Sequence, residues 1–251
     1  MKFNEEFYRL VEELNITYEI RGLLSSDDRI YPFSTDTKVL STVFELFCIP
    51  LVKQIATKYS YKVQEAPQTI YPDFTLLKYE EDKNKIAIDV KTTYRRGQYK
   101  SRKGEKPWIF TLGSYTSFLR NDTKNILYPY YDYKEHWIIG FVYTRVFPVH
   151  PKSFYSLNER NQIECPFKDV EIFVQEKYKI AGLKPGSGNT TNIGSIASSQ
   201  IADFRQGNGP FAKYGEDVFR DYWANYHPNR SKRKYTNLEE YFKWKKSRRN
   251  K

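Results

Sequence analysis

Lys85-Ile86-Ala87-Ile88-Asp89-Val90-Lys91-Thr92-Thr93 decides how the rest of this sequence is read. Side chains alternate across an extended strand, so Ile86, Ile88 and Val90 fall on one face while Ala87, Asp89, Lys91 and Thr93 fall on the other. The first set predicts a core face, and the second sets a carboxylate beside an ammonium. Upstream, Tyr71 to Leu77 has the same strand character, and the polar connection Glu80-Glu81-Asp82-Lys83-Asn84 reads as the turn of a hairpin. Pairing about that turn brings Asp73 opposite residues 89 to 91, at roughly 5 Å between Cα atoms, so that two carboxylates can share one divalent cation.

Pro72-Asp73, then fifteen residues, then Asp89-Val90-Lys91 is an arrangement suited to phosphodiester hydrolysis. Mg²⁺ takes oxygen ligands and keeps several waters, and it draws charge off phosphoryl oxygens; Mn²⁺ is an acceptable substitute. Lys91 can orient the attacking water and stabilise developing negative charge. Taken alone, the same residues would serve equally as an ion pair on a surface hairpin. Glu45 lies in a helical stretch, where a solvent-facing glutamate is the ordinary reading and a third carboxylate near the metal the functional one.

Outward from the hairpin, Phe3, Phe7, Leu10, Val11 and Leu14 recur at helical spacing and predict an opening amphipathic helix. Thr17 to Phe33 alternates as strands, with Gly22 and Ser25-Ser26-Asp27-Asp28 as turns. Ser34, Thr35 and Asp36 offer N-caps for a second helix carrying Val39, Leu40, Val43, Phe44 and Phe47, which Pro50 should kink or end. Later strands are expected at Trp108 to Leu112, His136 to Val146 and Val170 to Gln175, with a helix around Tyr115 to Lys124 and a helical, basic C-terminal third. Strands and helices without strict βαβ alternation predict one α+β domain with a mixed central sheet flanked by helices.

The 251 residues carry a formal net charge of +11, which favours a polyanionic partner. Residues Arg230 to Lys251 hold ten Lys or Arg against Glu239 and Glu240, and Arg95, Arg96, Lys100, Arg102, Lys103 and Lys106 form a second basic run. A charge run is ordinarily a solvated face. Tyr94, Tyr99, Tyr235, Tyr241, Phe242 and Trp244 lie within or beside these runs, and such interleaving points to DNA backbone contact. No run of 18 or more apolar residues argues for a membrane span. The start, Met1-Lys2-Phe3-Asn4-Glu5-Glu6, turns acidic where a signal peptide needs an apolar run, so the cytoplasm is the expected compartment. Cys48 and Cys165 with three scattered histidines offer no disulfide framework or zinc cage. The loop Gly186-Ser187-Gly188-Asn189-Thr190-Thr191-Asn192 lacks the third glycine of a dinucleotide fingerprint and the Gly-Lys pair of a P-loop. It suits close approach to base edges, with Asn189 bonding an adenine and Thr190 presenting a methyl group.

Five blocks in order, Thr35 to Phe47, Tyr71 to Leu76, Ile86 to Tyr94, His136 to Val146 and Gly186 to Ser195, closely resemble the EcoRV-like type II restriction endonucleases of the PD-(D/E)xK superfamily. The resemblance implies a restriction-endonuclease-like fold that grips double-stranded DNA as a U-shaped homodimer and cuts both strands of a palindrome in the presence of Mg²⁺. By the same likeness the site is GATATC, cut at its centre to blunt ends with 5'-phosphates, and a cognate methyltransferase belongs to the same system. Asp73, Asp89 and Lys91 become the catalytic core, Glu45 an auxiliary metal-site acid and Lys38 a helper on its helix. Gly186, Ser187, Gly188, Asn189, Thr190 and Asn192 fall on the major-groove recognition loop, and Thr92, Thr93 and Lys124 on backbone-contacting positions. The segment before Pro72 is shorter than in the family, which leaves Gln68 as the minor-groove candidate, and the stretch from Arg95 to Ile109 is longer and more basic. Residues 17–33 and 147–162 are the expected dimerisation part, and 230–251 a DNA-contacting segment. Two alternatives are a structure-selective repair or junction-resolving nuclease, which has no need of a base-reading loop, and a non-cleaving DNA-binding protein, which has no need of Asp73, Asp89 and Lys91 together.

Overall fold

Phe3, Phe7 and Leu10 share one side of helix α1 (Phe3–Glu13) and are all buried, as their spacing predicts. The computed structural model describes residues 1–95, 106–121, 124–186 and 191–249. After α1 come short strands β1 (Gly22–Leu24) and β2 (Arg29–Pro32), then helix α2 (Thr37–Lys58). Strands β3 (Lys62–Glu65), β4 (Phe74–Leu77), β5 (Lys85–Arg95), β6 (Thr111–Ser114), β7 (Tyr133–Arg145), β8 (Tyr155–Ser156) and β9 (Phe167–Glu176) follow. The chain closes with α3 (Lys177–Ile180), β10 (Ala181–Pro185), β11 (Asn192–Ser195) and helices α4 (Ile201–Gln206), α5 (Glu216–Asn225) and α6 (Leu238–Arg249).

The central sheet runs β3-β4-β5-β7-β9. β5 and β7 are parallel, while β3–β4, β4–β5 and β7–β9 are antiparallel, which is the mixed α+β arrangement expected. Phe74 pairs with Ile88 and Leu76 with Ile86, so the hairpin register is the one its turn predicted. Smaller sheets are β1-β2-β8, which joins Tyr155 of the 147–162 segment to Ile30, and β10-β11-β6.

The β4–β5 hairpin is covered on both faces. Ile86 and Ile88 pack with α1 and α2 in one apolar cluster, whereas Ala87, Ile138 and Phe173 pack on the other face with Phe110, Phe204 and Trp223. Helices cover one side, and the second sheet with the C-terminal helices covers the other. Pro50 does not end α2, because Cys48 before it and Leu51, Val52 and Ile55 after it are all buried, and that burial outweighs the hydrogen bond its ring removes. This helix is long and apolar enough to cross a membrane, yet eight of its residues are buried against the rest of the chain. The helix expected over Tyr115 to Lys124 is a single wide turn, Tyr115–Leu119, which stops where the Arg120 guanidinium turns away to the carbonyls of Ala224 and Tyr226. Trp108 makes only an isolated bridge to Ser198, and the strand proper begins at Thr111.

Asp36 ends the approach to α2 by accepting hydrogen bonds from the amides of Lys38 (2.8 Å) and Val39 (3.2 Å), the N-cap its residue type predicts. The tyrosines of the basic C-terminal segment do not face outward. Tyr235 and Tyr241 are 2% and 0% exposed and stack with Tyr222 and Trp244. Tyr235 precedes α6 and Tyr241 lies on its buried side, so neither ring is presented for the DNA backbone contact that their place among cations suggests.

Gly140 is the tightest point of the sheet: a Cβ there would lie 2.0 Å from the Phe173 ring. That ring cannot swing aside, being stacked on Phe204 and edge-on to Phe110, each at 5.1 Å. Gly140→Ala should therefore lower unfolding free energy by about 3 kcal/mol or more, at the upper end for overpacking. Urea denaturation checks this, and a midpoint equal to that of the wild type would show that the ring yields.

Candidate active site

β4 and β5 diverge at the edge of the two cores, and the residues that the alternation placed on one face meet there. Asp73 precedes β4 and its Oδ2 accepts a 2.6 Å hydrogen bond from the Val90 amide, which fixes it beside the Asp89 strand. Asp89 is 3% exposed, and its Oδ2 lies 2.6 Å from Lys91 Nζ. Lys91 Nζ also donates to the Val90 carbonyl at 3.1 Å. Two carboxylates and one ammonium thus occupy the end of a strand whose inner half is apolar on both faces.

The electrostatics follow from that burial. Desolvation and the neighbouring Asp89 charge raise the Asp73 carboxyl to about 7, against Lys91 and the Val90 amide, which pull it down. Burial alone would lower the Lys91 ammonium, but Asp89, Asp73 and Glu45 outweigh it and hold the pKa above the ordinary value. Glu45, half-buried on α2, is raised by desolvation and by Asp89, and lowered by Lys91. It therefore shares the field of the site. Among the described residues no three His, Cys, Asp or Glu side chains come close enough to cage an ion, so the structure brings together Asp73 and Asp89 but not Glu45 as a third ligand.

A divalent cation fits the pair. Asp89 Oδ2 is buried and ion-paired with Lys91, which a stronger cation can displace, and two oxygens of partly repelling carboxylates are the hard donors such a cation takes.

The other sequence candidates lie at varying distance from this centre. Thr92 shares a 2.7 Å hydroxyl contact with Ser41 of α2, which ties the helix of Glu45 to β5; Ser41 had no signal in the sequence. Thr93 is half-buried further along β5, and Lys38 is exposed in the first turn of α2. Gln68 is exposed in the loop before Tyr71, and Lys124 is exposed beyond the Tyr115 turn. Gly186 donates to the Asn192 carbonyl at 2.9 Å, and Asn192 pairs with Ser114, so the two ends of the predicted reading loop are pinned together. Ser187, Gly188, Asn189 and Thr190 lie outside the described residues, as do Arg96, Tyr99, Lys100, Arg102 and Lys103 of the basic run.

Beneath the site is a cluster the sequence concealed. Lys177, His136, Tyr71, Tyr130, Glu216 and Arg220 come from five separate stretches of chain and are buried or nearly so. No spacing rule links them, and Lys177 in Gln175-Glu176-Lys177 reads as a surface lysine.

The raised Asp73 carboxyl makes a signed prediction for the metal-free protein. Its ordinary value is 3.8 and its folded value about 7, so ionisation opposes folding: the favourable contribution is full below about pH 4 and lost as pH rises through 7. Asp73→Asn, which still accepts from the Val90 amide, should match the wild type in EDTA near pH 4. It should gain through that window to about 2 kcal/mol above pH 7, after allowance for partial exposure. Thermal melts across pH test this; no gain at pH 8 would mean that the carboxylates do not repel.

Comparison with known proteins agrees with this geometry. Residues 14–246 match the family model described as restriction endonuclease EcoRV. The chain is 47% identical over 249 residues to the type II restriction enzyme EcoRV of Escherichia coli, with 97% of this chain and 98% of that protein covered. A match over that share of both chains shows that this chain belongs to the EcoRV family of type II restriction endonucleases.

Proposed function

We propose that this endonuclease is a Mg²⁺-dependent homodimer that cuts both strands of a palindromic duplex, the site being GATATC opened at its centre to blunt ends with 5'-phosphates. The observation that carries the reading is the meeting of Asp73, Asp89 and Lys91 at one strand end, with the buried Asp89 Oδ2 held by Lys91. Asp73 and Asp89 hold the cation and Glu45 adds negative charge nearby. When bound, Mg²⁺, or Mn²⁺ in its place, supplies positive charge that polarises the scissile phosphate. Lys91, freed from its pairing with Asp89, orients the attacking water and stabilises charge on the phosphoryl oxygens. Lys38 acts from the N-terminus of α2. Thr92, Thr93 and Lys124 hold the DNA backbone, the 186–192 loop reads the major groove and Gln68 the minor groove.

The dimer is supported by an apolar surface around the β1-β2-β8 sheet. Leu23 and Leu24 are each 61% exposed, Phe147 70% and Val149 89%, a patch that a second copy would cover. It coincides with the 17–33 and 147–162 segments. Two-fold symmetry then sets one active site on each strand of a palindrome. A methyltransferase of the same specificity and a cytoplasmic setting complete the reading.

Plasmid digestion with Mg²⁺ or with EDTA, followed by sequencing of the ends, is the direct test. Discrete fragments ending at GAT and ATC, only with metal, are expected; a uniform smear or staggered ends would overturn the site and cut. Asp89→Asn should keep its fold and dimer and lose at least about a hundredfold in cleavage rate, since the removed charge lies where the phosphate is polarised.

The buried Tyr235 and Tyr241 make removal of 230–251 a core lesion, so its DNA role is tested at exposed cations. Replacing Lys232, Lys234 and Lys246 together by Gln should weaken cognate and random DNA by similar factors. The slope of log affinity against log salt should fall by up to about 3, near one for each lost phosphate contact. A loss confined to the cognate duplex would place these lysines in base recognition instead.

A further inference from the structure

Lys177 is buried with its Nζ making no hydrogen bond, a setting that burial makes costly for an ammonium. Its nitrogen faces three aromatic rings, lying 4.4 Å from the centre of Tyr71, 4.8 Å from Phe118 and 5.4 Å from Tyr130, which offer cation–π attraction but no proton acceptor. The carboxylate that might pair with it is engaged elsewhere: Glu216 Oε1 takes Arg220 at 2.8 Å. His136 does not serve either. Its Nδ1 meets the Tyr71 hydroxyl at 2.7 Å, its ring stacks on Tyr130 at 4.1 Å, and burial with Lys177 and Arg220 nearby keeps the imidazole neutral.

The sheet register places this cation below the active site on the same face. Asp89 pairs with Ile138 and Ile138 with Gln175; two residues on, Lys177 opens α3 just past the last β7–β9 pair, Trp137 with Glu176, beside the row in which His136 pairs with Ala87, two residues from Asp89. Tyr71, which forms one wall of the cage, is two residues before Asp73. Burial pushes the Lys177 ammonium down to about 7, Asp89 and Glu216 oppose that fall, and Lys91 and Arg220 add to it. The field of Asp89 therefore reaches Lys177 through the apolar layer.

We propose that Lys177 is a positioning residue, a buried amine behind Asp89 that weakens its hold on a divalent cation, so setting the metal concentration at which the site fills. The inference rests on Asp73 and Asp89 being the metal-binding pair. An ammonium in a low-dielectric layer repels an incoming cation, whereas the carboxylates attract it, and the balance is adjusted without any contact to DNA.

The test is Lys177→Met, which keeps an unbranched side chain able to fill an aromatic cage. Mn²⁺ binding to the DNA-free protein is read by electron paramagnetic resonance at neutral pH, and melting temperature is measured in EDTA. Lys177→Met should bind Mn²⁺ about tenfold more tightly than wild type and melt no lower. The Mn²⁺ midpoint for plasmid cleavage should move the same way, and Lys177→Arg should stay near wild type. A folded Lys177→Met with unchanged Mn²⁺ affinity would overturn the proposal, as would an Arg variant that behaves like Met. If Lys177→Met does not fold, Lys177→Gln carries the same readout, and failure of both to fold assigns the lysine a structural role and overturns the proposal. Wild type that binds Mn²⁺ and cuts, beside an unmoved Met variant, refutes this inference alone. Wild type that neither binds Mn²⁺ nor cuts refutes the metal site itself, and this inference with it.

Discussion

The hydrogen bond from the Val90 amide to the Asp73 carboxylate is the constraint on which the site depends. It belongs to the sheet, because it continues the pairing of Phe74 with Ile88 by one step, and it belongs to the chemistry, because it fixes one carboxylate against the strand that carries the other. A charge-assisted bond of this kind holds geometry better than a side chain resting on solvent. Its acceptor is short of further donors. The carboxylate pair is thus assembled by the fold at an electrostatic cost, and a divalent cation is the species that removes that cost. Stability of the empty protein and affinity for metal are two readings of the same repulsion.

The sheet bears that repulsion because it is anchored on both faces. Ile86 and Ile88 lock β5 against α1 and α2, while Ala87 lies on the aromatic layer of Phe110, Phe173 and Trp223. Charge appears only where these two layers end. The Ser41–Thr92 contact then carries the helix of Glu45 and Lys38 to the same edge, so that α2 is positioned by its apolar side and presents polar residues to the site.

Local patterns made much of this legible. Period-two alternation located β4 and β5, a symmetric turn gave their register, and Asp36 announced the start of α2; with them came the meeting of Asp73, Asp89 and Lys91. What local pattern could not give is the far side of each element. Alternation at Ala87 and Asp89 looks the same whether the polar face meets water or a second sheet, and Tyr235 and Tyr241 among lysines look the same whether they face DNA or a core. That α2 runs on through Pro50 has a related reason: the cost of one lost hydrogen bond is local, whereas the burial that outweighs it comes from α1 and the sheet. Lys177 is the extreme case, since its burial is produced by Tyr71, Phe118 and Tyr130, each distant in the chain.

Seen from Asp89, charge is arranged along a line. Lys91 lies beside it, 2.6 Å away at the mouth of the site, and Lys177 lies inward behind an apolar row. The two cations differ in what they can do. Lys91 sits at the polar edge, held between the Asp89 carboxylate and the Val90 carbonyl. Lys177 is caged by rings and cannot leave. The two cations are thus held by different forces: Lys91 by the carboxylate beside it, and Lys177 by aromatic faces that attract an ammonium but accept no proton, so the first is placed by charge and the second by packing.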